Sequence, residues 1–298
     1  MSPQHLIISI FLSLLFICIL LLQSANACTS IDSTIAWQRW SDTATWPNGV
    51  KPVAGDIVTL TNKQILLDTS PPDLRGLVLH GTRFAFDDAI AEIHLAAQYI
   101  VATDYSTFTI GNLTCPYDRN ATITLLTPED ITEDNYMGSG TKSLIIAGAS
   151  TVQIHGKAAQ SYGKLWASGA VGATHVNVTG VNLLWKAGDK IAITSTDFNY
   201  NQVEETTITA VQEINSQFTR VDFADALQYF HHGAITTQGI EQRGEVALLS
   251  RYITIQGDNN NTNKFGGHVQ FLHNVSLVEI SGVEFTRLGQ FGSLGRYP

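Results

Sequence analysis

Beyond about residue 50, apolar positions fall in short runs separated by Gly, Asn or Pro. This is the spacing of strands and turns, not the 3.6-residue period of a helix. Runs at 57–60, 64–67, 76–86, 93–95, 99–102 and 108–110 predict the first strands. The texture continues at 121–126, 144–147, 152–155, 175–178, 191–194, 206–211 and 218–223, then at 246–249, 253–256, 269–272, 277–280 and 283–285. No stretch carries a convincing helical pattern, so an all-β fold is expected. A sandwich, a barrel and a β-helix all use such strands. The runs lack the clean apolar–polar alternation of an antiparallel sheet with one wet face, which favours stacked strand-turn units. No strict repeat period accompanies them.

Residues 6–22 stand apart as an apolar run broken only by Ser9 and Ser13, followed by Ala25-Asn26-Ala27. The pattern predicts a signal peptide over 1–27, cleaved after Ala27. The alternative is an uncleaved N-terminal anchor, the one route by which a membrane becomes a partner. Export leaves Cys28 and Cys115 in an oxidising compartment, where a single bridge and two free thiols both remain open. Sequons begin at Asn112, Asn120, Asn177, Asn260 and Asn274, and they permit glycosylation of a secreted or cell-surface chain.

The 298 residues include 17 Lys plus Arg against 26 Asp plus Glu, a formal net charge of −9. That balance argues against gripping a nucleic-acid backbone, so no nucleic-acid partner is expected. The loop Thr127–Thr141 is the best boundary by composition, and its acids Glu129, Asp130, Glu133 and Asp134 read as a solvated loop. Calcium is the one cofactor worth considering there, although the ordered ligand spacing of a calcium loop is absent. No other cofactor is evident, and no His or Cys spacing suggests a metal site.

Several ordered motifs resemble the G8-domain family. Trp46-Pro47, Gly55-Asp56-Ile57-Val58-Thr59-Leu60 and Leu66-Leu67-Asp68 resemble its opening, and Gly76-Leu77-Val78-Leu79-His80-Gly81 its central strands. Cys115-Pro116-Tyr117-Asp118 and Gln153-Ile154-His155-Gly156 resemble its close. Gly188-Asp189-Lys190-Ile191, Arg243-Gly244-Glu245-Val246, Phe265-Gly266-Gly267-His268 and Gly295-Arg296-Tyr297-Pro298 resemble later blocks of the cell-migration-inducing hyaluronan-binding proteins and transmembrane protein 2. A long insertion of the vertebrate relatives is missing, as in the fibrocystin-like proteins. The resemblance implies a G8 β-domain at 35–150, then the start of a right-handed parallel β-helix of the pectate-lyase kind at 151–298, expected to be truncated.

It also implies a secreted or cell-surface protein that binds or depolymerises a hyaluronan-like polysaccharide, with a non-enzymatic adhesion module or an inactive fragment as alternatives. If the chain is a glycosidase, it needs a proton donor and a second group beside the scissile bond. Asp189 and Asp197, separated by a short strand, are the candidate carboxylates. His155 and His268 are the candidate acid-base histidines, because both lie in well-matched motifs. Arg243 and Arg251 are the candidate carboxylate-binding cations, since an arginine fork holds a carboxylate even on an acidic molecule. Arg243 shares a strand face with Glu245, which predicts an ion pair between them. Glu204 and Glu205 point to opposite faces of an extended strand and are expected to be a solvated pair, while His231, His232 and His273 are expected to be structural. Trp37, Trp40 and Trp46 are expected in the core.

Overall fold

A computed structural model describes residues 28–128, 140–157, 159–260, 264–292 and 294. The leader, the acids Glu129, Asp130, Glu133 and Asp134, and Arg296-Tyr297-Pro298 lie outside the described residues. The described chain is almost entirely strand and turn, with three short 3-10 turns.

Most of the strands stack in parallel. One ladder joins Gln38–Arg39, Gln64–Leu67, Arg83–Phe86, Thr107–Ile110, Thr151–His155 and Leu277–Ser281. A second joins Ile57–Thr61 and Leu74–His80 to Glu92–Thr103. That 12-residue strand then forks. Its first half pairs with Asn120–Leu125 and its second with Ser143–Ile146. Ile253–Gly257 and Val283–Thr286 extend the first branch, and His268–Phe271 the second.

Parallel stacking puts equivalent side chains above one another, so the core forms as columns. Ile65, Phe84, Phe108 and Val152 share one column and are all fully buried. The Phe84 and Phe108 rings stack at 5.5 Å. Burial of each such side chain contributes roughly 1.5–3 kcal/mol. Val278, next in the column, is 41% exposed. Trp40 and Trp46 close the opposite end, edge to face at 4.7 Å, while Trp37 is half-buried.

Two expected strand boundaries change. The run 76–86 divides at Gly81, whose φ of +55° turns the chain from one ladder into the other. Runs 93–95 and 99–102 are instead one continuous strand, because its two halves serve different branches.

The ladders cross residue 150 without interruption, since Thr151–His155 pairs with Thr107–Ile110. Between the 151–155 and 253–257 rungs the chain leaves the stack and builds an antiparallel block. It contains Tyr162–Lys164, His175–Thr179, Lys190–Ile193, Glu204–Glu213, Phe218–Phe223 and Glu245–Leu248. The block has a core of its own, including Leu165, Val178, Ile191, Ile193, Val221 and Val246, all fully buried.

Two further ties hold the stack. A disulfide joins Cys28 to Cys115, with Cα atoms 5.6 Å apart. Lys142, 1% exposed, places its ammonium 2.7 Å from Asp258 and 2.9 Å from both Thr127 Oγ1 and the Phe265 carbonyl. The amide and hydroxyl of Thr127 also donate to Asp258. Burial raises the Asp258 pKa, but these donors outweigh it and hold the carboxyl below its ordinary value.

Candidate functional site

The expected polar residues divide between two depressions, and two of them lie in neither. Asp189 precedes the strand Lys190–Ile193 and Asp197 follows it. A strand rising roughly 3.3 Å per residue therefore holds the two carboxylates apart at opposite ends. Asp189 is buried, and its carboxylate accepts the Lys186 amide at 3.0 Å, closing the turn in which Gly188 takes φ +91°. Asp197 is exposed and accepts the Phe198 amide at 2.7 Å.

His155 belongs to the parallel stack. Its Nδ1 lies 2.9 Å from Ser281 Oγ, and its Nε2 lies 3.4 Å from Glu279 on the next rung. The Glu279 carboxyl is held below its ordinary value, first by the Gln153 amide and then by His155. Gly111 keeps this corner tight, because a Cβ there would come within 2.4 Å of the His155 carbonyl oxygen. His268 opens the strand on the second branch, its amide bonded to the Lys142 carbonyl. Neither histidine lines the depressions that hold the two aspartates.

The first depression is a cleft of about 460 Å³ between the stack and the antiparallel block. Asn120, Lys157 and Tyr252 line it from one side, and Lys186, Asp189 and Arg251 from the other. Lys186 Nζ sits 4.1 Å above the Tyr252 ring, a cation–π contact that orders the ammonium without neutralising it. Arg251 donates from one guanidinium nitrogen to the Leu248 and Ser250 carbonyls, both at 2.8 Å. That clasp holds the guanidinium while it keeps its full charge. Lys157 is half-buried, 3.5 Å from Asp118. Three cations therefore line a cleft, Lys157 being shared with Asp118, and among the described residues its one lining carboxylate, Asp189, is engaged by a backbone amide.

The second depression lies on the antiparallel block and has two adjoining parts, of about 430 and 710 Å³, which share Thr196 and His232. Asp197, Tyr229 and Phe230 line one part, and Lys164, Glu241 and Arg243 the other. Arg243 grips Glu241 through two hydrogen bonds of 2.8 and 2.7 Å, so its partner is Glu241 and not the expected Glu245. The neighbour two residues earlier presents a bidentate carboxylate to the fork, which is the stronger geometry. The Glu241 carboxyl is drawn down to about 2 as a result.

A family model described as G8 domain matches residues 45–166. The chain carries a G8 domain. A G8 domain-containing protein of Dictyostelium discoideum is 30% identical over 87% of this chain and 17% of its own length. Fibrocystin-L of Homo sapiens is 28% identical over 87% of this chain and 7% of its own length. The cell surface hyaluronidase of Danio rerio is 31% identical over 57% of this chain and 14% of its own length. The chain thus spans a small fraction of each of these relatives.

Asn120 and Lys157 lie within the matched G8 domain, whereas Lys186, Asp189, Arg251 and Tyr252 lie beyond it. The cationic cleft is therefore a junction between the G8 domain and the polypeptide that follows. Sequence reasoning found Asp189 and Arg251 but missed Lys157, Lys186 and Tyr252. A lysine three residues before Asp189, in the same Gly-containing turn, was the available signal for Lys186. Asn120, one of the sequon asparagines, opens onto this cleft and is exposed. Among the described residues, no three His, Cys, Asp or Glu side chains are grouped to hold a metal ion. No helix among them is long and apolar enough to cross a membrane.

Proposed function

We propose that this protein is an exported, extracellular or cell-surface binding module for an acidic polysaccharide of the hyaluronan kind, held in the cleft between the G8 domain and the antiparallel block. The observation that carries this reading is the convergence of Lys157, Lys186 and Arg251 on one cleft of a chain whose net charge is −9. Local cations, not overall charge, decide whether a uronate carboxylate is held. Tyr252 supplies an aromatic face for the sugar ring. The parallel stack is the scaffold, the opening of the expected right-handed β-helix.

Binding is favoured over bond cleavage because the four candidate acid-base groups do not converge: Asp189 and Asp197 line separate depressions, and His155 and His268 line neither. The name of the Danio rerio relative supports a second reading, depolymerisation of the same polymer. Calorimetric titration with size-defined hyaluronan oligosaccharides tests the first reading. Saturable binding that weakens with added salt is the expected result, and a flat titration removes it. Sizing long-chain hyaluronan after incubation separates the readings: unchanged chains support a binding module, and shortened chains support the hydrolase.

A further inference from the structure

The second depression combines features that the proposed function does not use. Its two parts adjoin at Thr196 and His232, which line both. Tyr229 and Phe230 line it with 38% and 52% of their surfaces exposed, and Phe198 and Tyr200 project freely from the adjoining loop. Large aromatic rings left in water on a monomer mark a ligand surface more often than they mark chance. Gln202 and Gln228 stand beside the rings and Gln242 farther along, each with an amide that can both donate and accept.

The groove wall is also held in place beforehand. The Glu204 carboxylate accepts the backbone amides of Gln228 and Tyr229 at 2.8 and 3.0 Å. His231, fully buried, bridges the same carboxylate at 2.8 Å and the Thr194 carbonyl at 2.8 Å. Thr196 Oγ1 accepts the His232 amide at 2.8 Å. The segment that presents Tyr229, Phe230 and His232 is thus pinned from behind, which removes ordering cost from any ligand it meets.

Charge selects the ligand. Both cations of the groove are committed to Glu241: Arg243 by its double hydrogen bond and Lys164 at 3.8 Å. Asp197 and Glu245 add negative charge, Glu245 directly across the strand pair from Lys164. A polyanion is repelled here, whereas it is attracted to the first cleft.

We infer that this groove is a second saccharide site, built for a neutral glycan whose pyranose faces stack on Tyr229 and Phe230 and whose hydroxyls meet Gln202, Gln228 and Asp197. Aromatic rings take the C–H faces of sugars, and paired amide and carboxylate groups take adjacent hydroxyls. The site does not depend on the acidic-glycan reading, because none of its residues lines the cationic cleft.

The test is titration of the whole protein with two neutral probes, cellohexaose and N-acetylchitohexaose, and with a hyaluronan hexasaccharide. At least one neutral probe is expected to bind. Its affinity should fall on the order of tenfold in Phe230→Ala and in Tyr229→Ala, fall less in Gln228→Ala, and stay unchanged in Lys186→Ala. Thermal melts of the same variants, whose altered side chains are exposed, should match the parent. If neither neutral probe binds, or if binding survives in both aromatic variants, the inference is overturned. Competition between the neutral probe and the hyaluronan hexasaccharide for one site also overturns it. A hexasaccharide that fails to bind while a neutral probe binds leaves the groove standing and removes only the cationic-cleft reading.

Discussion

In the parallel stack, polar side chains answer one another from rung to rung. Gln153 donates to Glu279 at 2.9 Å, His155 meets Ser281, and Thr124 Oγ1 is shared by His94 at 2.8 Å and Gln256 at 3.0 Å. In the antiparallel block, side chains at the strand ends turn outward instead: Lys186, Asp197, Tyr229 and Phe230 all stand at the rims of depressions. The difference follows from topology. Parallel stacking repeats each residue's environment every rung, so outer-face polar groups find partners in columns. The antiparallel block ends its strands in loops of unequal length, and those loops leave space between them. The stack is therefore the framework, and the block supplies most of the lining of the two depressions.

The strongest way to break that division is to empty a column. Phe84→Ala, at a fully buried position flanked by Trp40, Phe86 and Phe108, should cost about 3–5 kcal/mol, read as a fall in the thermal or denaturant midpoint. An equal loss from Trp166→Ala, an exposed ring stacked on Phe218 in the block, would erase the contrast. Next comes Asp258→Ala, which strands the buried Lys142 ammonium among neutral acceptors and should cost about 3 kcal/mol, measured in the same way. Replacing both residues by an apolar pair should recover part of that loss.

Acid sharpens the comparison on the block side. Burial raises the Glu204 pKa, but the Gln228 amide, His231 and the Tyr229 amide outweigh it, so the folded value lies below the ordinary one. A depressed carboxylate contributes stability above its unfolded pKa, about 4.3, and that contribution is lost as pH falls through the folded value. Glu204→Gln should be less stable than the parent at neutral pH and should lose less on acidification below about pH 4. Hydrogen exchange at pH 3 should show protection falling first in 204–232, ahead of the stack. Parallel acid profiles for parent and variant would contradict this.

Much of the framework was legible because strands are local. The apolar runs placed nearly every rung, and Gly188-Asp189 marked its turn. Pairing across long separations was not legible. Nothing in Thr151–His155 announces that its next neighbour is Leu277–Ser281, because the intervening antiparallel block has the same short-strand texture as the stack. The site was half legible for the same reason. Asp189 and Arg251 stood out by chemistry, but Lys157 and Tyr252 reach the cleft only through tertiary contact. The separation of Asp189 from Asp197 came from the length of one strand, which the sequence showed without showing its consequence.

The most direct test of the account is the affinity of hyaluronan oligosaccharides for the parent and for Lys186→Ala, Arg251→Ala and the double variant. Each cation that bonds a carboxylate contributes about 1.4 kcal/mol, a factor of about ten. The account predicts losses of about tenfold in each single variant and more in the double, with the thermal midpoint unchanged in Lys186→Ala and lowered where Arg251, which also clasps the Leu248 and Ser250 carbonyls, is removed. Equal affinity across all four proteins, with binding intact, would place the acidic polysaccharide elsewhere and contradict the central claim.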